Sequence, residues 1–164
     1  MGWSIMYKSP VVAEDIKPDH LKELFIYWQK IRGNKPMPSR ADFHPEELPA
    51  VLPHIVLFDV SDKKPYRYFT RLVGTETVRA MGFDFTGKYL DEIPSLSAVQ
   101  ERFDWISENG TPYYYQGKLV WSEKSYMDYC TLALPFSNDG KKVNILMYGT
   151  DYYLPDDHPE RWYS

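Results

Sequence analysis

The chain has 164 residues, a formal net charge of −4 and 43% hydrophobic residues, which suits one soluble globular domain. The net charge and the scattered basic residues argue against nucleic acid as a partner, and the single cysteine, Cys130, excludes a disulfide within the chain and a cysteine-based zinc cluster. No apolar run is long enough for a signal peptide or a membrane span, so we expect a cytoplasmic protein without a membrane partner.

The first predicted elements are an arm and a helix. Residues 1–17 have mixed polarity and predict an N-terminal arm. Residues 18–32 then place apolar side chains at the spacing of one helix face: Leu21, Leu24, Phe25, Trp28 and Ile31. Gly33 suits the end of this helix. The stripe can pack on the body of the domain, or it can present Phe25 and Trp28 to a partner or a second copy of the chain.

A pair of strands and a short helix follow. Prolines make long regular structure improbable over residues 34–54, and the apolar run at 55–60 and the aromatic run at 66–73 predict two antiparallel strands. Gly74 permits a sharp turn, Thr75 can cap a short helix, and Gly82 suits its end. A longer helix is expected to begin at Ser95 or Ser97 and to run to about Asn109.

The second half predicts a meander of three strands, at residues 113–121, 126–136 and 143–152, followed by a tail at 153–164. Five antiparallel strands, with the helices inserted between the second and the third, make an α+β domain. We expect the helices to cover one face of the sheet, and a ligand would lie between them and the sheet.

This order of elements resembles a PAS domain, and several motifs resemble one bacterial PAS subfamily that was first described as a domain of unknown function. The motifs are PSRADF at 38–43, LPHIVLFDV at 52–60, RLVGT at 71–75, TGK at 86–88 and LPFS at 134–137 with the Asp139 and Gly140 that follow. The resemblance implies a five-stranded antiparallel sheet over residues 18–152, with an extra N-terminal helix at 18–32. PAS domains sense small ligands, cofactors or light, or they mediate dimerisation, usually to control an output module.

The resemblance supplies no catalytic residues and no ligand. The chain leaves no length for an output module, so we expect a stand-alone domain that acts on an output protein in trans or as a homodimer. Its histidines argue against haem, because His20, His44, His54 and His158 fall outside the helices expected to face the cavity. Cys130 lies in a predicted strand, which argues against a cysteinyl flavin. The tail residues Asp156, Asp157 and His158 suggest a solvated turn, so no metal site is expected.

Six residues are candidates for contact with a ligand: Arg71, Phe103, Ile106, Tyr115, Tyr129 and Met147. A guanidinium in the middle of a strand must be paired, so Arg71 either holds a carboxylate ligand or forms an ion pair with a strand acid such as Asp128. The alternation of residues 66–73 does not decide which face points inward.

Three functions are compatible with these observations. The first is a non-catalytic sensory domain that binds a small ligand or a protein partner. The second is an adaptor or dimerisation module without a ligand. The third is an enzyme of the cone-shaped isomerase or hydratase type, in which a strand carboxylate such as Asp59, Asp128 or Asp151 acts as a general base; the chain lacks an evident histidine partner for it.

Overall fold

The computed structural model describes residues 6–119 and 127–153, which form an antiparallel sheet with helices on both faces. The strands are β1 (Met6–Lys8), β2 (Ile55–Val60), β3 (Tyr68–Val73), β4 (Tyr113–Lys118), β5 (Asp128–Phe136) and β6 (Ile145–Tyr153). The α-helices are α1 (Asp19–Arg32), α2 (Thr75–Met81) and α3 (Gln100–Asn109). Short 3-10 turns occupy Ala13–Asp15, Arg40–Asp42, Pro45–Glu47, Leu52–His54, Leu90–Glu92 and Pro94–Val99. None of these helices is long and apolar enough to cross a membrane.

The sheet has six strands in the order β1-β4-β5-β6-β2-β3, and every neighbouring pair is antiparallel. The α+β class and the PAS-like arrangement are confirmed, but the predicted number of five strands is wrong. The additional strand, β1, lies in the predicted arm and pairs Tyr7 with Tyr115 of β4. Three residues of mixed polarity are too few to produce an alternation signal, so the pattern did not reveal this strand.

The meander of β4, β5 and β6 is confirmed, since these strands are consecutive neighbours in the sheet. The predicted extension of the first of them to residue 121 and the predicted turn at 122–125 lie outside the described residues. The same is true of the predicted tail from residue 154 onward.

Helix α1 packs on the face of the sheet opposite to α2 and α3. Its buried side chains are Leu21, Leu24, Phe25, Tyr27 and Trp28. The Trp28 indole Nε1 donates a hydrogen bond to the Pro135 carbonyl oxygen at 3.1 Å. The sheet is therefore covered on both faces, whereas the sequence predicted helices on one face only. The prediction failed because an amphipathic stripe does not indicate which sheet face it will cover.

This packing changes the interpretation of the proposed partner face. Phe25 is 3% exposed and Trp28 is 4% exposed, so both side chains belong to the core. A helix stripe has the same spacing whether it packs inside its own domain or against a partner. Phe25 and Trp28 therefore pack within the chain and are not exposed to a partner, whereas the alternative prediction required them to be exposed.

The turn between β3 and α2 depends on the close approach of Gly74 to the chain before β2. The Gly74 amide donates to the Ile55 carbonyl oxygen at 2.8 Å, and a Cβ at Gly74 would also lie 2.8 Å from that oxygen. The predicted short helix is confirmed and ends at Gly82, with φ of 86°. Thr75 is not its cap, because the helix already includes Thr75 and Gly74 is the capping residue.

Strand β3 contains a bulge, and the burial of its side chains shows which of its faces points inward. Leu57 of β2 pairs with Leu72, but the next residue, Phe58, pairs with Thr70, so Arg71 has no opposing residue. Tyr68 and Thr70 are buried, and Arg71 is exposed. The inward set of this strand is therefore Tyr68 and Thr70.

Candidate ligand cavity

A cavity of about 50 Å³ lies between the sheet and the helices α2 and α3. Alternate residues of a strand point to the same face, so β5 and β6 supply side chains from every second position. Half of the lining residues are aromatic: Phe58, Phe85, Phe103, Tyr113, Tyr129, Tyr148 and Tyr152. Thr131 and Thr150 add hydroxyl groups, and Arg102 of α3 adds the only charged group of the wall within the described residues.

Phe103 limits the volume of this cavity. Its ring lies 4.9 Å from that of Phe58, 5.1 Å from that of Tyr68 and 4.7 Å from that of Tyr148, measured between ring centres. These are normal separations for packed aromatic rings. A cavity for a drug-sized ligand usually exceeds roughly 300 Å³. In this state the interior therefore has room for a few atoms, and a larger ligand requires movement of Phe103 or α3.

Three hydroxyl groups of the wall, those of Tyr113, Tyr148 and Tyr152, remain protonated at neutral pH. Burial raises the pKa of Tyr113, of Tyr148 and of Tyr152, because a phenolate in an apolar interior loses its hydration. The Tyr152 hydroxyl is 3.0 Å from the Thr77 hydroxyl, and those of Tyr113 and Tyr148 are 3.5 Å apart. Neutral hydroxyl groups can donate hydrogen bonds to an anion, so the wall is compatible with a negatively charged ligand group.

Arg102 brings a positive charge to the cavity. Its Nη1 atom donates a hydrogen bond to the Tyr129 hydroxyl at 2.7 Å, and its guanidinium carbon lies 4.0 Å from the centre of the Tyr115 ring. Burial acts to lower the pKa of Arg102, but Tyr129 and Tyr113 outweigh it and the pKa is raised, so the side chain stays cationic. Within residues 6–119 and 127–153, no carboxylate lies at ion-pair distance from this guanidinium.

Five of the six predicted ligand contacts are buried, but not all of these five line the cavity. Phe103 and Tyr129 line the cavity, and Tyr115 supports Arg102 from the same side of the sheet. Ile106 is fully buried in the core but does not line the cavity. Met147 is also buried, but it follows Leu146 and precedes the cavity-lining Tyr148, so its side chain lies on the α1 face of the sheet.

Arg71 lies outside the cavity, on the solvent side of β3. Its side chain is 59% exposed, and its Nε atom donates to both carboxylate oxygens of Asp59, at 2.9 and 3.0 Å. The predicted ion pair of Arg71 with a strand acid is therefore present, but the acid is Asp59 and not Asp128, which lies 2.8 Å from the Lys118 ammonium. Arg71 follows the buried Thr70, so the alternation of side chains along a strand turns it outward, where it lies beside Asp59.

No carboxylate of the described residues lines the cavity, so Asp59, Asp128 and Asp151 are not placed as general bases for a ligand bound there. The cavity-lining charge that sequence reasoning missed is Arg102. A signal for it existed, because Arg102 lies three residues after Val99 and next to Phe103, on the edge of the apolar face of α3.

Comparison with known proteins places this geometry in a family context. A family model described as PAS domain matches residues 16–147. One similar solved structure is titled "Structure of an RNA-binding Light-Oxygen-Voltage Receptor"; the TM-score is 0.45 and the identity is 14%. The match covers 73% of this chain and 36% of that chain, so the present chain corresponds to little more than a third of that receptor's length. No curated protein matches the chain.

Proposed function

Because this chain belongs to the PAS domain family, we propose that it is a non-catalytic sensory domain whose signal is a small carboxylate-bearing molecule bound beside Arg102. The observation that carries the proposal is the half-buried guanidinium of Arg102, which has no carboxylate partner in the described part of the chain. A cation that has lost part of its hydration gains stability from an anion. The planar guanidinium matches both oxygens of a carboxylate, which supports this class of ligand.

The size of the cavity favours short acids. A water molecule needs roughly 10–15 Å³ of such a volume, so a cavity of about 50 Å³ holds a few water-sized groups. Formate and acetate are of this size, and longer acids would have to displace Phe103. A ligand at this position would contact Arg102 on α3 and Tyr129 on β5, so binding would favour one arrangement of the helix relative to the sheet.

We propose that the domain passes its signal to a partner protein or to a second copy of the chain. An adaptor without a ligand is a less favoured function, because the side chains first considered for it, Phe25 and Trp28, are buried. An enzyme is less favoured because the wall of the cavity has no carboxylate among the described residues.

A thermal unfolding series tests this function. The wild type, Arg102→Met and the control Arg71→Met are heated with formate, acetate, propionate or butyrate, and with chloride at equal ionic strength. We expect at least one acid to raise the Tm of the wild type and of Arg71→Met, because a ligand that binds only the native state stabilises it. Arg102→Met should show no rise. An equal rise in Arg102→Met, or no rise in any protein, contradicts the function.

A further inference from the structure

Three side chains that can ligate metals meet on the α1 face of the sheet, away from the cavity. They are His20 in the first turn of α1, His54 at the end of the turn Leu52–His54, and Asp151 in β6. His20 Nε2 lies 3.1 Å from one carboxylate oxygen of Asp151, and His54 Nδ1 lies 3.2 Å from the other. One ligating atom from each residue lies within 4.8 Å of those of the other two.

The two nitrogen–oxygen separations, 3.1 and 3.2 Å, are close to those between neighbouring ligand atoms of a zinc ion. Zinc binds nitrogen and oxygen at roughly 2.0–2.2 Å in a tetrahedral arrangement, which places neighbouring ligand atoms roughly 3.3 Å apart. The side chains of His20, His54 and Asp151 are 26%, 15% and 14% exposed, so an ion can enter and yet lose most of its water.

One nitrogen atom of the cluster is available to bind a cation. His20 Nε2 is a buried atom that makes no hydrogen bond, although it lies 3.1 Å from the carboxylate of Asp151. The Tyr153 hydroxyl donates to Asp151, which fixes the orientation of the carboxylate, as second partners of metal ligands commonly do.

We propose that His20, His54 and Asp151 form a binding site for a divalent transition metal ion, with Zn²⁺ as the ion that fits this donor set. Two imidazole nitrogens and one carboxylate oxygen suit zinc and related ions, whereas Mg²⁺ and Ca²⁺ prefer oxygen ligands throughout. Three protein ligands leave a fourth position for water or for an incoming group, as in open zinc sites.

Without a metal ion, a hydrogen atom on His54 can hold the cluster together instead. His54 Nδ1 is also 3.1 Å from the Thr150 carbonyl oxygen, so a hydrogen on this nitrogen can be shared with Thr150 and Asp151 when no ion is bound. A metal ion replaces such a hydrogen when it binds. Direct measurement of metal binding therefore separates the two arrangements.

The site would join α1 to the sheet. His20 belongs to the N-terminal helix, whereas Asp151 lies in β6 between Thr150 and Tyr152, which line the cavity on the opposite face. An ion at this position would link the start of α1 to β6, the strand that also forms part of the cavity wall. Metal binding at this position would be independent of which ligand the cavity takes.

The test is isothermal titration of untagged, chelator-treated protein with Zn²⁺, with Mg²⁺ as the ion control. The variants are His20→Ala and Asp151→Asn, and His44→Ala is the matched control, because His44 is an exposed histidine beside Glu46. The wild type and His44→Ala should bind one Zn²⁺ per chain. Loss of a direct ligand should weaken binding by at least about 10-fold, since even second partners of metal ligands contribute 10–100-fold.

A variant can also lose Zn²⁺ binding because it no longer folds, so the fold of each variant is measured. Circular dichroism in the presence of chelator identifies variants that have lost their fold. Asp151 is the more enclosed ligand, so His20→Ala at the start of α1 provides the folded variant if Asp151→Asn is unstable. Wild-type protein that binds no Zn²⁺, or a folded His20→Ala protein that binds it as tightly as the wild type, overturns the proposal.

Discussion

Gly149 of β6 lies directly under Leu24 of α1, because a Cβ atom on Gly149 would come within 2.8 Å of the Leu24 Cδ2 atom. The same Cβ would be 2.9 Å from the Leu21 Cδ2 atom. The absence of a side chain at position 149 therefore sets how closely the N-terminal helix approaches the sheet.

The first prediction concerns this contact. Gly149→Ala should lower the free energy of unfolding by about 1–3 kcal/mol, the usual cost of an overpacked core. Urea unfolding measures the change. In a double-mutant cycle, Leu24→Ala should cost less in the Gly149→Ala background than in the wild type, because the smaller side chain makes room for the new methyl group. Strictly additive effects would mean that α1 does not rest on Gly149.

The second prediction concerns Trp28. Trp28→Ala should lower the free energy of unfolding by about 3–5 kcal/mol, because the mutation removes a buried indole and its hydrogen bond to the Pro135 carbonyl. Sedimentation of the folded variant should match that of the wild type. A change in oligomeric state without a loss of stability would instead assign Trp28 to a partner interface.

The third prediction concerns the exposed pair of Arg71 and Asp59. Arg71→Met should change the free energy of unfolding by less than about 1 kcal/mol, because exposed ion pairs are screened by water and salt. Urea unfolding at low and at high salt measures the effect. A large loss would show that the bulge in β3 depends on this ion pair.

The fourth prediction concerns alkaline pH. The pKa of Tyr68 is raised above its ordinary value of 10.0 by burial and by its hydrogen bond to Asp104, and burial raises the pKa of Tyr113 above the same value. Above pH 10 the unfolded chain therefore loses protons that the folded chain keeps, and the free energy of unfolding falls as pH rises. Unfolding in urea at pH 9 and pH 11 should show this fall, and it should be smaller in Tyr68→Phe. Constant stability over this range would contradict the protonated tyrosine interior.

Much of the fold could be predicted because its signals are local. The helical spacing of Leu21, Leu24 and Trp28 predicts α1, and the apolar run at 55–60 predicts β2 with the observed bounds. The face of the sheet that α1 covers could not be predicted, because helical periodicity carries no information about the packing partner. Strand β1 could not be predicted because its three residues are too few to show the alternation of a strand.

The sites were harder to predict because they depend on contacts between distant segments. Arg71 is a charge within a strand, but it lies on the outward face, and the alternation of residues 66–73 is compatible with either face pointing inward. His20, His54 and Asp151 come from three separate elements, so no short spacing indicates their cluster. Their proximity follows from the position of α1 on β6.

The most direct measurement of the central claim is a side-chain nuclear magnetic resonance titration. The Nε–H resonances of the arginines are followed while acetate or propionate is added at constant ionic strength. We predict a saturable shift of the Arg102 resonance, together with shifts of the backbone amides of Tyr129 and Thr150, and no saturable shift of Arg71. Absence of a saturable change at Arg102, or equal changes at Arg102 and Arg71, would contradict ligand binding in the cavity.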